Sequence, residues 1–179
     1  MLELRSEKIY LRPLEVDDAN GNYPNWLNDP IVCKYNSHGE KEYTKEMAID
    51  YINMVQESNI YKVFAICDSQ TDKHIGNVSL QNISEKNNNA EFAILIGEKD
   101  FMGKNIGKEA GEIIIKYGFN VLNLHRIYCG TSQDNIPMQK LALYLNMKKE
   151  GISVDAMIKN DKYINIHNYS IVNKIKHYN

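Results

Sequence analysis

The segment from Ala90 to Gly107, AEFAILIGEKDFMGKNIG, holds the residues whose types and spacing could do chemistry. An apolar run with strand character, Ala90 to Ile96, enters a short loop with glycines at 103 and 107, and a helical pattern follows. A helix start offers unpaired backbone N–H groups and the positive end of the helix dipole. Glycine lets a phosphate come close to that backbone. The order strand, glycine loop, helix therefore fits a cradle for a pyrophosphate, although two glycines ahead of a helix also make an ordinary turn. The loop is neither GxGxxG nor a P-loop, which disfavours dinucleotide and NTP binding.

Placing such a loop takes most of the chain. Ile9 to Leu14 reads as a first strand, ended by Pro13. Asp17 and Asp18 are helix-starting residues, and a short helix runs from them toward Trp26 until Asn28-Asp29-Pro30 breaks it. Thr44 is an N-cap for a helix whose apolar stripe is Met47, Ile49, Tyr51, Ile52 and Val55. Strands follow at Tyr61 to Cys67, Ile75 to Leu80 and Ala90 to Ile96, joined by polar turn clusters. After the loop come a helix through Ala110, Ile113, Ile114, Tyr117 and Val121, and a strand at Arg126 to Gly130. A helix from Pro137 to Leu145 precedes a hairpin, Ile152 to Met157 and Tyr163 to Val172, around Lys159-Asn160-Asp161. The order β-α-α-β-β-β-α-β-α-β-β is an α/β layer arrangement, a mixed sheet with helices on its faces. Residues 1–179 read as one domain, a usual domain length.

Composition excludes several classes. The chain is 43% hydrophobic and 25% charged, an ordinary globular mix. A net charge of −2 gives no basic surface for nucleic acid. Cys33, Cys67 and Cys129 are far apart and form no CxxC pair, so no zinc knuckle or redox motif is available. They read as buried small hydrophobes in a reducing compartment. No metal-ligand spacing and no paired carboxylates are present. The opening MLELRSEKIYLRPL lacks the apolar stretch of a signal peptide, and no apolar run nears the roughly 20 residues that span a bilayer. A cytoplasmic protein with no membrane partner is expected.

The later segments add Leu124-His125-Arg126, Gln133-Asp134-Asn135-Ile136-Pro137-Met138 and Leu141 to Gly151, LALYLNMKKEG. With Ile9-Tyr10-Leu11-Arg12-Pro13-Leu14 at the start and Asp161-Lys162-Tyr163 and Tyr169 at the end, this ordering resembles the GNAT acetyltransferases. The likeness is to the branch that includes the ribosomal-protein N-terminal acetyltransferases, and it runs from about Ile9 to Val172. It implies a mixed, mostly antiparallel sheet split between Ala90–Ile96 and Arg126–Gly130, with acetyl-CoA bound in the split. It implies that the backbone of Ile94, Leu95 and Ile96 pairs with the pantetheine arm. The loop opened by Met102 would hold the pyrophosphate through the amides of Gly103, Lys104, Asn105, Ile106 and Gly107, with Lys108 adding charge. Asn135 would sit near the thioester. Two positions depart from the pattern: Met102 and Asn105 stand at fixed loop positions, and Ala142 stands where many relatives carry an acid tyrosine. Asn tolerates positive φ, so the cradle survives. Tyr144, two residues on, lies roughly 200° around the helix from Ala142 and reads as a packing or surface residue.

The chemistry so implied is direct attack of a neutral primary amine on the thioester, with Glu91 as the candidate base and an N–H near Ile94 or Leu95 holding the oxyanion. No covalent intermediate is expected, because no histidine is placed to activate Cys129. The resemblance assigns acceptor choice to Asn25–Tyr43 and the final hairpin; in the first, Trp26, Tyr35 and Tyr43 mix with Asn28, Asn36, Ser37 and His38. Aromatics beside neutral polar groups suit an amino sugar, nucleotide-linked or free, and Trp-Leu-Asn-Asp-Pro is similar to acetyltransferases of surface-glycan amino sugars. A polyamine, a ribosomal-protein N-terminus and a non-catalytic acyl-CoA-binding module are the alternatives. A homodimer is an open expectation. His125 reads as a packing or capping residue, and His74 and His177 as exposed; the facing of His167 is not fixed by the pattern.

Overall fold

The computed structural model describes residues 4–36, 38–39 and 41–174; Ser37 and His177, named above, lie outside them. Seven strands form one sheet: β1 (Ile9–Pro13), β2 (Lys62–Asp68), β3 (His74–Ser84), β4 (Asn89–Ile96), β5 (Arg126–Ser132), β6 (Lys148–Lys159) and β7 (Lys162–Val172). Their spatial order is β1-β2-β3-β4-β5-β7-β6. Every neighbouring pair is antiparallel except β4 with β5. The helices are α1 (Tyr23–Trp26), α2 (Lys45–Glu57), α3 (Ile106–Asn120) and α4 (Ile136–Tyr144). Among the described residues no helix is long and apolar enough to cross a membrane.

The sheet carries a core on each face. Ile9, Phe64, Val78, Phe92, Ile127 and Cys129 pack with α3 and α4 residues such as Ala110, Ile114, Ala142 and Leu145. On the other face Val63, Ala65 and Cys67 pack with Leu14, Trp26, Ala48, Ile52 and Val55. All three cysteines are free and buried, as their apolar settings require.

Three expectations need correction. The helix read from Asp17 toward Trp26 is two pieces, a 3₁₀ turn at Val16–Asn20 and then α1. Pro24 lies in the first turn of α1 and has no N–H with which to continue a helix from Asn20. The buried stripe of α2 is Ala48, Ile52 and Val55, while Met47 is exposed. Thr44 caps that helix as expected, its hydroxyl accepting from the Met47 N–H at 3.3 Å. Finally, β6 begins at Lys148, four residues before the expected Ile152, and pairs with β7 through register shifts at Lys149/Gly151 and Ser153/Met157. The hairpin turn falls where expected, with positive φ at both Asn160 and Asp161, the geometry of a tight two-residue turn.

Candidate active site

The loop between β4 and α3 is built around two left-handed residues. Gly103 has φ +75°, and Asn105, the N-cap of α3, has φ +67° and ψ +7°. Asn is among the few non-glycine residues that adopt this conformation at low cost. The turn aims the first amides of α3 outward. The N–H groups of Gly103, Asn105, Ile106 and Gly107 make no hydrogen bond among the described residues. One expected contributor is otherwise engaged: the Lys104 amide donates to Phe101 O at a long 3.4 Å. The Lys108 ammonium sits 4.6 Å above the Tyr144 ring, one turn into the helix. A hollow of about 540 Å³ borders the loop, lined by Phe101, Lys104, Asn105 and Ile106 and, across from them, by Glu7, Lys8, Asp68 and Gln70. Free leading amides on a helix of fifteen residues can hold an anion.

Beside the cradle the sheet opens. β4 pairs with β3 along its length, Glu91 to Ile96 included, but with β5 only over Asn89–Glu91 against Arg126–Tyr128. Past that point the two parallel strands part, which leaves the Ile94, Leu95 and Ile96 stretch of β4 with an unpaired edge facing β5. A free strand edge of this kind pairs with an amide-bearing extended chain.

At the apex Glu91 and Tyr128 are register partners. Ala90 and Phe92 belong to the α3 core, so Glu91 points to the opposite face, the one that Leu95 shares with Trp26 and α2. Glu91 is half-buried and accepts from Asn82 Nδ2 at 2.8 Å. Asn135 is the N-cap of α4; its Oδ1 accepts from the Met138 N–H at 3.1 Å, and its Nδ2 has no partner among the described residues. Ala142 is fully buried in the α3–α4 core. Tyr144 is exposed and its hydroxyl donates to Glu112 at 2.7 Å, consistent with a surface residue.

The acceptor side departs from expectation. Trp26 is 2% exposed and its Nε1 donates to Glu98 at 2.9 Å, so the indole is core and offers no face to a substrate. Tyr35 is half-buried beneath the Lys34 ammonium, 5.1 Å from the ring centroid, and His38 is exposed, its carbonyl accepting from Lys159 Nζ at 2.8 Å. That bond ties the 28–43 loop to the tip of the β6–β7 hairpin. His74 is not exposed: its ring lies edge-on to Trp26 at 4.8 Å, and Nδ1 is 3.1 Å from Asp18. His167 faces α4, with Nδ1 3.3 Å from Gln139 Oε1.

Sequence reasoning missed two groupings. Arg12 forks onto Asp18 at 2.6 and 2.8 Å, and His74 completes that buried cluster. Burial alone would raise the Asp18 pKa, but Arg12, His74 and the Glu15 amide more than reverse it and hold the carboxylate ionised. Glu98 gathers Trp26, Asn22 and Lys73 just past the free edge of β4. Glu98 stands 72 residues from Trp26 and 76 from Asn22, separations that leave no local sequence signal. Tyr128 was missed as well, although the alternation of apolar Ile127 and Cys129 around it was a signal that strand parity sends it to the face of Glu91.

Comparison with known proteins agrees with this geometry. A family model described as an acetyltransferase (GNAT) domain matches residues 8–148. The uncharacterized N-acetyltransferase p20 of Bacillus licheniformis is 30% identical over 177 residues, 97% of this chain and 98% of that protein. The spermidine N(1)-acetyltransferase of Escherichia coli is 27% identical over 161 residues, 89% of this chain and 81% of its own. Among solved structures, a variant of the Vibrio cholerae spermidine N-acetyltransferase superposes with TM-score 0.80 at 26% identity, covering 93% of this chain and 95% of that one. The same kind of enzyme from Vibrio cholerae in complex with CoA and spermine gives TM-score 0.84 at 24% identity, covering 93% and 96%, and supports the fold alone.

Proposed function

Because the chain belongs to the GNAT acetyltransferase family, we propose that it moves the acetyl group of acetyl-CoA onto a primary amine, with a linear polyamine as the acceptor class. The observation that carries the reading is the parting of β4 from β5 beyond Glu91 and Tyr128, next to the free amides that follow Gly103. The cradle binds the pyrophosphate, and the open edge at Ile94–Ile96 pairs with the pantetheine amides. An N–H on that edge near Ile94 or Leu95 holds the carbonyl oxygen as it gains charge. Asn135 Nδ2, unused by the cap, donates toward the thioester.

An alkyl ammonium has a pKa of about 10 and cannot attack until it loses a proton. Glu91, on the acceptor face at the apex, takes that proton directly or through a water. Two observations favour a polyamine over an amino sugar. Trp26, which would have been the sugar's stacking platform, is core. Spermidine acetyltransferases are among the relatives that align with most of the chain. Three buried free thiols suit a reducing cytoplasm.

Free-thiol release from acetyl-CoA is the test, with spermidine and spermine, nucleotide-linked amino sugars, and short N-terminal peptides in separate arms. Turnover with the polyamines is expected. Turnover confined to sugars or peptides would reassign the acceptor. Silence in every arm, with CoA still raising the melting temperature, would make the protein an acyl-CoA-binding module.

A further inference from the structure

The family's usual acid position is Ala142, fully buried and without an ionisable group. The thiolate expelled from the thioester needs another proton source, and few phenols stand near the split. Tyr144 is turned onto α3, its hydroxyl committed to Glu112. Tyr169 lies on β7, opposite Cys129 across β5, buried with its hydroxyl 3.4 Å from Gln139 Oε1. Tyr128 differs from both. It is the last β5 residue paired with β4, so it stands at the apex where the strands part. It points to the same face as its partner Glu91, one strand spacing or roughly 4.8 Å away at the backbone. It is half-buried and its hydroxyl makes no hydrogen bond among the described residues; on its other side it borders a hollow of about 350 Å³ walled by β6 and β7 residues such as Glu150, Ile152 and Asn168.

We infer that Tyr128 is the general acid of the transfer, donating its phenolic proton to the departing CoA sulfur. The assignment rests on the acetyltransferase reading above. The step balances as follows. Glu91 removes one proton from the ammonium and passes it to solvent, and the amine nitrogen bonds to the acetyl carbon. The tetrahedral adduct then collapses, the carbon–sulfur bond breaks and the sulfur takes the Tyr128 proton. The second nitrogen proton returns to the phenolate, so acid and base are both restored. Burial and then the Glu91 charge raise the pKa of Tyr128, which keeps the phenol protonated at neutral pH. The Arg126 guanidinium lies 5.8 Å from the ring centroid and is itself paired with Glu150.

The experiment compares wild type, Tyr128→Phe and Tyr144→Phe, with kcat and KM against pH and CoA affinity by calorimetry. Tyr128→Phe is expected to lower kcat by roughly tenfold or more, with KM for acetyl-CoA and CoA affinity within about threefold of wild type. Tyr144→Phe should stay within that range on every measure. Replacing Tyr128 with a fluorinated tyrosine of lower phenol pKa should move the alkaline limb of kcat to lower pH, a shift that loss of packing would not produce. A kcat within about threefold for Tyr128→Phe, or an alkaline limb that ignores the fluorinated residue, would overturn the assignment. If wild type itself turns over no acceptor while binding CoA, the acetyltransferase reading fails instead, and the two failures are distinguishable.

Discussion

Gly97 follows the open edge of β4 and packs directly on the buried indole of Trp26, so Gly97→Ala tests how tightly the core on the Trp26 face holds that edge. A Cβ at this position would lie 1.9 Å from Trp26 Cδ2 and 2.3 and 2.4 Å from two further ring carbons. Ordinary carbon contact is about 3.5 Å, so something must move by roughly 1.6 Å. The ring has little freedom: it is 2% exposed, hydrogen-bonded to Glu98 and flanked by His74. Overpacking of this kind costs about 1–3 kcal/mol, and a displaced indole that gives up Glu98 adds about 1–3 kcal/mol for an unmet buried donor. If Gly97 moves instead, it loses its own bond to Ile75 O at 2.9 Å and carries Ile96 with it. The expected loss is therefore roughly 2–6 kcal/mol in urea denaturation, with weaker CoA binding by calorimetry. Adding Trp26→Leu should recover part of the Gly97→Ala loss, because the two residues share one space. An alanine variant within about 0.5 kcal/mol of wild type, the scatter of an ordinary surface change, would refute a rigid contact here.

Two further outcomes follow from the loop and from the buried cluster. Asn105→Ala, at φ +67°, should lower stability by about 1 kcal/mol and weaken CoA binding, while Asn105→Gly should hold both near wild type; a thermal shift with and without CoA checks this, and equal behaviour of the two would contradict the left-handed cap. For Asp18 the folded pKa lies below the unfolded value of about 3.9, so its contribution is complete above that pH and drains away as pH falls toward the folded value. Asp18→Asn should be less stable at neutral pH yet lose less on acidification below about pH 4; urea midpoints from neutral to acid pH decide it, and an unchanged acid slope would exclude Asp18 as its source.

The parts of this protein that can be read in one dimension are those whose cause is local. The strand order, the Thr44 cap and the left-handed Asn105 each depend on a handful of neighbouring residues, and each is where the pattern puts it. The acceptor side is different. Met47 and Ala48 both fit a helical stripe, and only the sheet beneath α2 selects Ala48. An aromatic in a variable loop reads equally as a ligand platform or as core, and Trp26 becomes core because Glu98, 72 residues away, accepts its N–H. His74 looks like a hairpin residue in solvent until Asp18 and Trp26 close over it. The apex lies between these cases: strand parity puts Glu91 and Tyr128 on one face, but only the pairing register makes them neighbours.

The irregular pairing of β6 bears on how the molecule survives in a crowded solution. β6 is one of the sheet's two edge strands, twelve residues long, and it displays Ile152, Val154 and Ile158. A flat edge of that length would recruit strands from other molecules and seed aggregation. Two register shifts, the left-handed Asp155 and lysines at 148, 149 and 159 make it a poor template. Straightening the strand would regularise its pairing with β7 and remove the protein's guard against self-association.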